Sequence, residues 1–406
     1  MKSKSRKNFI WNMFGSTIYA FTSLFYMIIV TRINGVDNAG IFTFAFSFVC
    51  IIQVIGTYAG RTFQVTERNK KIKDCDFLYF RIINCFLMII VTTIFILCKN
   101  YSLDKNIIIF ILLLYRTIDA YSETIYGIFQ KNDNLFQVGI SLTLRSILCV
   151  FGFLVVDLFS SNLILSVFAV LFIDILVFIF YDILKLKKYN VVLDKFNRKN
   201  IKFLAISGFS VFIFSFLVQF IVNAPKFAID DLSTESAQAI FGIVLMPATL
   251  ITLCSQLLIQ SFVYRINESL KKQKYSLYKS YVYKIILYVM ILGILALLLA
   301  YFFGIPVLNI IYGIDLKEYL ITLLIIIGGS ILNGIVLVLS NSLIAIRKNW
   351  TQVIIYGIST VLIFVLSFSL VGAYEINGGA LAYFITNFLM VIAYFILFIF
   401  ETRKLR

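Results

Sequence analysis

Apolar residues run through the chain in stretches of about twenty, and short polar segments separate them. A stretch of that length crosses roughly 30 Å of hydrocarbon as an α-helix, because each residue adds about 1.5 Å. The pattern predicts an all-α polytopic membrane protein with twelve transmembrane helices. The predicted spans are residues 9–31, 40–61, 78–98, 106–129, 137–157, 163–184, 203–224, 238–262, 282–303, 319–345, 353–371 and 378–400.

The composition agrees with this class, and the positions of the basic residues explain the net charge. The mean hydropathy is +0.96, and only 14% of the residues are charged. The net charge of +16 would suit a nucleic-acid partner. However, most basic residues lie between the spans on one predicted side, including segments 185–202 and 347–348, as the positive-inside rule requires. We therefore expect a lipid bilayer as the environment, no nucleic acid, and both termini in the cytoplasm. The basic residues of the predicted outer loops are Arg32, Lys99, Lys105, Lys226 and Lys317.

The residue types argue against an enzyme. The chain has no histidine, which excludes catalysis by a histidine with serine or cysteine and removes most zinc sites. Its six cysteines show no C-x-x-C spacing, so we interpret them as small buried hydrophobic residues. The sequence predicts no metal and no cofactor.

The two halves of the chain resemble each other. The similar segments place span one over seven, two over eight, and four and five over ten and eleven. Both halves start on the same side, so the predicted repeat is parallel, with a pseudo-two-fold axis along the membrane normal. Chance similarity between apolar segments remains the alternative. The predicted lobes are 1–196, which includes the basic linker, and 197–406, with six helices each. The paired segments are 6–21 with 198–214, 38–46 with 237–245, and 129–141 with 345–359.

Five stretches distributed from span one to span twelve resemble the Wzx-type oligosaccharide flippases, polysaccharide biosynthesis proteins of the MOP/MATE superfamily. Each motif is weak alone, whereas their order and spacing together are fairly specific. The stretches are VTRINGVDNAGIFTFAFSF (30–48), GTYAGRTFQVTE (56–67), YGIFQKNDNLFQVGIS (126–141), NAPKFAIDDLSTESAQAIFGIVLMP (223–247) and INGGALAYFITN (376–387).

The resemblance implies a function in a bacterial plasma membrane. It implies that undecaprenyl-pyrophosphate-linked oligosaccharide units move from the cytoplasmic to the outer leaflet by alternating access, before polymerisation into capsule, O-antigen or exopolysaccharide. Polymerases and glycosyltransferases of the same pathway are then possible partners. The alternative is a MATE-like, cation-coupled exporter of drugs or metabolites, for which we expect a cavity rich in carboxylates without deep arginines.

Charged residues in spans four to six are the candidate chemistry. Arg116, Asp119 and Glu123 fall on one stripe of a helical wheel, and Arg116 can pair with Asp119 at i+3. Arg145 and Asp174 lie at comparable depth and can pair across helices. A charge facing lipid costs roughly 2.5–3.5 kcal/mol even on the lenient insertion scale. These groups must therefore face protein, water or substrate.

Two interpretations of these charges remain open. They can form a buried ion-pair network that fixes helix register. They can also line a polar cavity, in which Arg116 and Arg145 bind the pyrophosphate through their planar, permanently charged groups. In that case Glu123, Asp119 or Asp174 would exchange the coupling ion, H⁺ or Na⁺, because the deep groups comprise two cations and three carboxylates and burial brings a carboxyl pKa toward the working range. Glu123 is the first choice, because Arg116 is the one arginine near it on its own helix.

Three basic residues at the ends of spans are further candidates for binding the substrate. Arg61 stands at the inner end of span two, where the resemblance places a basic residue. Arg32 and Lys226 occupy equivalent outer ends of spans one and seven. Arg61 would meet the pyrophosphate at headgroup level on the inner side, and the other two would receive it outside. A purely positive-inside anchor is an equal alternative for Arg61.

Overall fold

The computed structural model is almost entirely helical and describes residues 2–69, 71–189, 191, 194–346 and 349–404. No strand occurs in these ranges. The α-helices of the described chain are α1 (Lys2–Ile33), α2 (Gly35–Thr57), α3 (Gly60–Thr66), α4 (Asp74–Cys98), α5 (Leu103–Lys131), α6 (Leu135–Ser160), α7 (Leu163–Val177), α8 (Leu184–Leu186), α9 (Arg198–Leu232), α10 (Glu235–Lys271), α11 (Tyr275–Leu299), α12 (Ile305–Tyr312), α13 (Leu320–Ala345) and α14 (Asn349–Arg403). Two π-helical segments, Phe178–Ile183 and Ala300–Gly304, join α7 to α8 and α11 to α12.

Ten segments of the described chain are long and apolar enough to cross a membrane. Helix α5 is not among them because it carries Arg116, Asp119 and Glu123 within its apolar stretch. The last of the ten, Trp350–Arg403, contains a break at Glu375, where φ is 48°. The total of twelve spans therefore stays a prediction. The basic pair at 347–348, assigned from the sequence to the inner side, lies outside the described residues.

Side-chain caps fix where several helices begin. The Ser102 hydroxyl accepts a hydrogen bond from the Lys105 amide at the start of α5. The Asn162 side chain accepts from two backbone amides at the start of α7, and the Thr234 hydroxyl accepts from the Ala237 amide at the start of α10. Each cap satisfies backbone donors that have no partner inside the helix, which matters most next to apolar surroundings.

The chain divides into two compact units, Met1–Gln219 and Phe220–Arg406. In the first unit α2, α4 and α5 pack against one another, α5 and α6 pack on α7, and α1 packs along α6. In the second unit α10, α11 and α13 pack against one another, and α13 packs on α14. The group α2, α4 and α5 thus has a counterpart in α10, α11 and α13, as the predicted repeat requires. The predicted lobe boundary at 196/197 lies just before α9, whereas the two units divide within that helix, and the boundary stays a prediction.

The segment before α9 is attached to the first unit. Lys73 Nζ donates to Asp194 Oδ2 at 2.6 Å, and Tyr79 Oη donates to the Asp194 carbonyl at 3.0 Å. The hydrogen bond to Asp194 raises the pKa of the Lys73 ammonium. Asn200 in α9 donates to Asp76 in α4 at 2.8 Å. These contacts fix the start of α9 against the start of α4.

Helices α1 and α6 of the first unit cross with their backbones in close contact. A Cβ atom on Gly15 would lie 2.2 Å from the Gly139 carbonyl oxygen, and one on Gly139 would lie 2.1 Å from the Trp11 carbonyl oxygen. Real Cβ atoms do not approach so closely, so only glycine permits this crossing. Small residues at such crossings let helix backbones pack in a membrane.

The structure corrects the predicted second span, residues 40–61. Helix α2 ends at Thr57, Tyr58 adopts φ 50°, and Gly60 adopts φ 70° before α3 begins. Hydropathy does not detect this turn because the residues around it remain mostly apolar. The break places Arg61 on α3 instead of on α2.

Candidate functional site

Arg145 is the centre of a buried polar network in the first unit. Its side chain is 1% exposed, and Nη1 lies 2.8 Å from Asp174 Oδ1 and 3.2 Å from Asp119 Oδ1. Its Nη2 lies 2.7 Å from Asp182 Oδ2 and donates to Ser122 Oγ at 2.6 Å. One guanidinium therefore contacts three carboxylates, which come from α5, α7 and the π-helical segment after α7. The predicted pairing of Arg145 with Asp174 across helices is confirmed.

The π-helical segment Phe178–Ile183 explains why Asp182 reaches this centre. Asp182 follows Asp174 by eight residues, which in a regular α-helix would separate the two side chains by about 80° around the axis. The extra residue in a π-helical turn reduces the difference to about 20°. Both carboxylates therefore face Arg145 on α6. Asp182 also accepts from Ser141 Oγ at 2.7 Å, so each of its oxygens has a donor.

Arg116 joins the same network from α5. Its Nη1 lies 3.0 Å from Asp119 Oδ2, which confirms the predicted pair at i+3. The same nitrogen donates to Tyr19 Oη at 2.8 Å, and the Tyr19 hydroxyl donates to Asp119. The Arg116 guanidinium also lies 4.6 Å from the centre of the Phe46 ring. Asp119 thus bridges the two arginines, and Tyr19 ties α1 to them.

Counting formal charges gives this network an excess of negative charge. It holds two arginines, Arg116 and Arg145, and three aspartates, 119, 174 and 182, none more than 7% exposed. With every group ionised the net charge is therefore −1. An unbalanced buried charge is expensive unless a proton or a cation neutralises it. Asp174 Oδ2 is buried and has no hydrogen-bond partner among the described residues, so it can take up a proton.

Glu123 lies outside the buried network. Its Oε2 is 3.7 Å from Arg61 Nε, and both side chains are partly exposed. The pair joins α5 to α3, the short helix that follows the break in α2. Arg61 and Glu123 therefore form an ion pair, although the sequence suggested substrate binding for Arg61 and ion coupling for Glu123.

The two remaining predicted residues, Arg32 and Lys226, belong to different units. Arg32 is exposed at the end of α1 in the first unit. Lys226 in the second unit is partly buried, and its Nζ lies 3.4 Å from Asn223 Oδ1. A role of either residue in receiving a substrate stays a prediction.

Sequence reasoning missed three members of the site. Asp182 was overlooked because it lies near the predicted end of span six, and only the π-helical turn aligns it with Asp174. Tyr19 carries no formal charge, so hydropathy gave no reason to select it. Arg81 lies near the start of predicted span three, where a basic residue is ordinary at a membrane boundary, and it is 6% exposed in the structure.

Comparisons with known proteins place the chain in a structural class. No family model matches it. It is 24% identical to the capsular polysaccharide biosynthesis protein CapF of Staphylococcus aureus over 397 residues, which cover 96% of this chain and 98% of the relative. Among solved structures, a multidrug resistance MATE family transporter of the MOP superfamily in an inward-facing conformation superposes with a TM-score of 0.76 at 10% identity, covering 95% of each chain.

A second solved structure with the same fold is the lipid II flippase MurJ. It superposes with a TM-score of 0.74 at 15% identity, covering 98% of this chain and 90% of MurJ. The predicted fold class and the resemblance noted from the sequence are confirmed at this level. The chain is therefore a multi-pass membrane protein with the fold of the MOP superfamily of transporters, related over nearly its whole length to a capsular polysaccharide biosynthesis protein.

Proposed function

We propose that the chain is a flippase for undecaprenyl-pyrophosphate-linked oligosaccharide units. It moves them by alternating access from the cytoplasmic to the outer leaflet of a bacterial plasma membrane, for the synthesis of capsule, O-antigen or exopolysaccharide. The observation that carries this proposal is the similarity to CapF over 96% of the chain, together with a fold shared with a lipid flippase. Transport by such a protein makes and breaks no covalent bond, so we propose no enzymatic activity.

The distribution of basic residues supports the direction and topology of this proposal. Most of them fall in the segments that the positive-inside rule assigns to the cytoplasm, and both termini belong to that side. An anionic, lipid-linked substrate would then first meet the protein at its basic face. Polymerase and glycosyltransferases of the same pathway would act on the two sides of this step.

We assign different roles to the charged residues of the first unit. One carboxylate of the buried network, with Asp174 as the first candidate, carries an exchangeable H⁺ because the network has one carboxylate more than it has arginines. Arg116 and Arg145 hold these carboxylates in place, and their direct contact with a pyrophosphate stays a prediction. Arg61, which is partly exposed, is the better placed cation for the phosphate groups.

The alternative function, a MATE-like exporter of drugs or metabolites, has support from the fold. Likeness at 10% identity concerns the fold alone, and the two deeply buried arginines favour the flippase.

Deletion of the gene tests the proposal. We expect the surface polymer to disappear and lipid-linked oligosaccharide to accumulate on the cytoplasmic leaflet, with both effects reversed by the wild-type chain. A deletion strain that makes normal polymer, or that instead becomes sensitive to cationic drugs, would refute the flippase proposal. To identify the coupling ion, transport of the lipid-linked substrate is measured in vesicles that contain the protein, first with an H⁺ gradient and then with a Na⁺ gradient.

A further inference from the structure

The end of α2 forms a rigid elbow that carries Arg61. Tyr58 adopts φ 50°, its ring stacks on Phe212 of α9 with centroids 4.6 Å apart, and its hydroxyl donates to the Ala205 carbonyl at 2.9 Å. A Cβ on Gly208 would lie 2.8 Å from Ala59 Cβ, so α9 packs directly on the elbow. These contacts fix the direction in which α3 leaves α2, and thereby the position of Arg61 at the start of α3.

Arg61 has donor groups that its present contacts do not use. Its partner Glu123 lies 3.7 Å away, beyond hydrogen-bonding distance. Arg61 Nη1 is buried and has no hydrogen-bond partner among the described residues. A guanidinium binds a phosphate through two parallel N–H groups, which this arrangement leaves free. The Arg61 side chain as a whole is 26% exposed, so a ligand can reach its exposed edge, and the buried Nη1 becomes available when the partly exposed Glu123 carboxylate moves aside.

Arg81 adds a second positive charge beside this pair. Its Nε donates to Thr124 Oγ1 at 2.6 Å, and its Nη1 donates to the Gly56 carbonyl at 2.5 Å, at the end of α2. No carboxylate within the described ranges lies at ion-pair distance from Arg81, and its hydrogen-bond partner Thr124 follows Glu123 directly in α5. Arg61 and Arg81 thus both contact the part of α5 that carries Glu123, and the three side chains together have a formal charge of +1.

We propose that Arg61, Arg81 and Glu123 form a phosphate-binding site. Without ligand, the Glu123 carboxylate occupies the position beside Arg61 that the ligand's phosphate would take. The arriving phosphate displaces the Glu123 carboxylate, binds the free N–H groups of Arg61 and neutralises the excess charge. Arg81 is too deeply buried to touch the ligand and acts as a positioning residue, because it binds the last turn of α2 and adds positive potential. This inference rests on the proposed function, since a pyrophosphate-linked lipid is the ligand that would bring the phosphate.

The test measures equilibrium binding of undecaprenyl pyrophosphate to the purified full-length protein in nanodiscs. Glu123→Gln should tighten binding about two- to fivefold, because it removes an internal competitor held by a partly exposed ion pair. Arg61→Gln should weaken it about 10- to 100-fold through the loss of charged hydrogen bonds. Inorganic pyrophosphate and vesicles of phosphatidylglycerol serve as separate probes. They distinguish a site for the lipid-linked pyrophosphate from one for free phosphate or for a bulk lipid headgroup.

A double-mutant cycle isolates the proposed competition. In the Arg61→Gln background, Glu123→Gln should give no further gain in affinity, because the donor that it competes for is gone. Glu67→Gln, which removes a negative charge at the end of the same short helix α3, is the matched control and should leave binding unchanged. Arg81→Gln should weaken binding and make it less sensitive to salt, whereas a purely structural role would leave the salt dependence as it is.

Three results would overturn the inference. The first is that Glu123→Gln binds undecaprenyl pyrophosphate no more tightly than wild type. The second is that Glu123→Gln raises the affinity equally in the wild-type and the Arg61→Gln backgrounds. The third is that the wild-type protein binds neither undecaprenyl pyrophosphate nor inorganic pyrophosphate. The flippase proposal is decided separately, by the polymer and the lipid-linked intermediates of the deletion strain. If the wild-type gene restores the polymer in the deletion strain but Glu123→Gln binds undecaprenyl pyrophosphate no more tightly than wild type, this site is rejected and the flippase proposal stands.

Discussion

Replacing Asp182 or Asp174 by asparagine tests the charge balance of the buried network. Either substitution keeps the side-chain shape and leaves two arginines with two carboxylates. If the wild-type network already holds one proton, each single variant only makes that neutral state permanent. We therefore expect the free energy of unfolding of each single variant to lie within about 1 kcal/mol of wild type.

The double variant Asp174→Asn with Asp182→Asn should behave differently. It leaves Arg116 and Arg145 with Asp119 as their single carboxylate, so one buried cation has no counter-charge. Removing the partner of a buried ion costs about 3–5 kcal/mol. The two substitutions should therefore be strongly non-additive, with an interaction free energy of roughly 3 kcal/mol or more.

Denaturant unfolding in detergent micelles at constant pH measures these free energies for wild type, both single variants and the double variant. Glu318→Gln, an exposed position outside the α-helices, is the control and should change stability by less than about 0.5 kcal/mol. In the wild type, proton uptake and release should accompany transport. In either single variant that exchange should disappear although the protein remains folded.

One pattern of results would refute this reasoning. If each single variant loses about 3–5 kcal/mol and the double variant loses about the sum, then all three carboxylates are ionised and needed. The network would then be neutralised by a bound cation or by a charge outside it, and the assignment of an exchangeable proton to Asp174 would be wrong.

Three further predictions concern packing, backbone strain and the second arginine. Gly139→Ala should destabilise the protein by about 1–3 kcal/mol, because the new Cβ would meet the backbone of α1. Gly357→Ala is the control, at the corresponding position of the repeat, and should be tolerated because nothing lies within 4 Å of the added Cβ. Equal losses of stability in thermal unfolding would contradict the close crossing of α1 and α6. Glu375→Gly should raise the free energy of unfolding by about 1 kcal/mol because it relieves a positive φ at an exposed residue, and a loss of stability would show that the Glu375 side chain makes a needed contact. Arg116→Lys should lower transport at matched protein levels because a single ammonium cannot bind both Asp119 and Tyr19 in the same geometry, and full activity would show that charge alone suffices.

The sequence was sufficient to predict the all-helical membrane class and part of the network. Hydropathy located most of the apolar helices because a membrane imposes length and apolarity on every crossing helix. Arg116 and Asp119 were predicted to pair because helical periodicity alone brings i and i+3 together. Arg145 and Asp174 were predicted to meet because deep charges in neighbouring spans have few other partners.

The partner of Glu123 depended on tertiary structure. In the sequence, Arg116 is the nearest cation to Glu123 on the same helix, seven residues or about two turns away. In the structure Arg116 is engaged by Asp119, and Glu123 meets Arg61 across helices. That contact requires the positive φ of Tyr58, a residue that rarely adopts such a conformation. No local signal in the apolar run of span two indicates it.

The position of Asp182 illustrates the limit of periodicity more sharply. A helical wheel assumes 3.6 residues in every turn, so one widened turn shifts every later residue by about 100°. Segment Phe178–Ile183 contains such a turn directly before α8. With regular geometry Asp182 would point away from Arg145, and the network would hold two carboxylates against two arginines with no charge in excess. The carboxylate in excess is therefore Asp182, which a backbone irregularity brings to Arg145. A count of the deep charges on regular helices also leaves one carboxylate in excess, but it assigns that excess to Glu123, which the structure places outside the network.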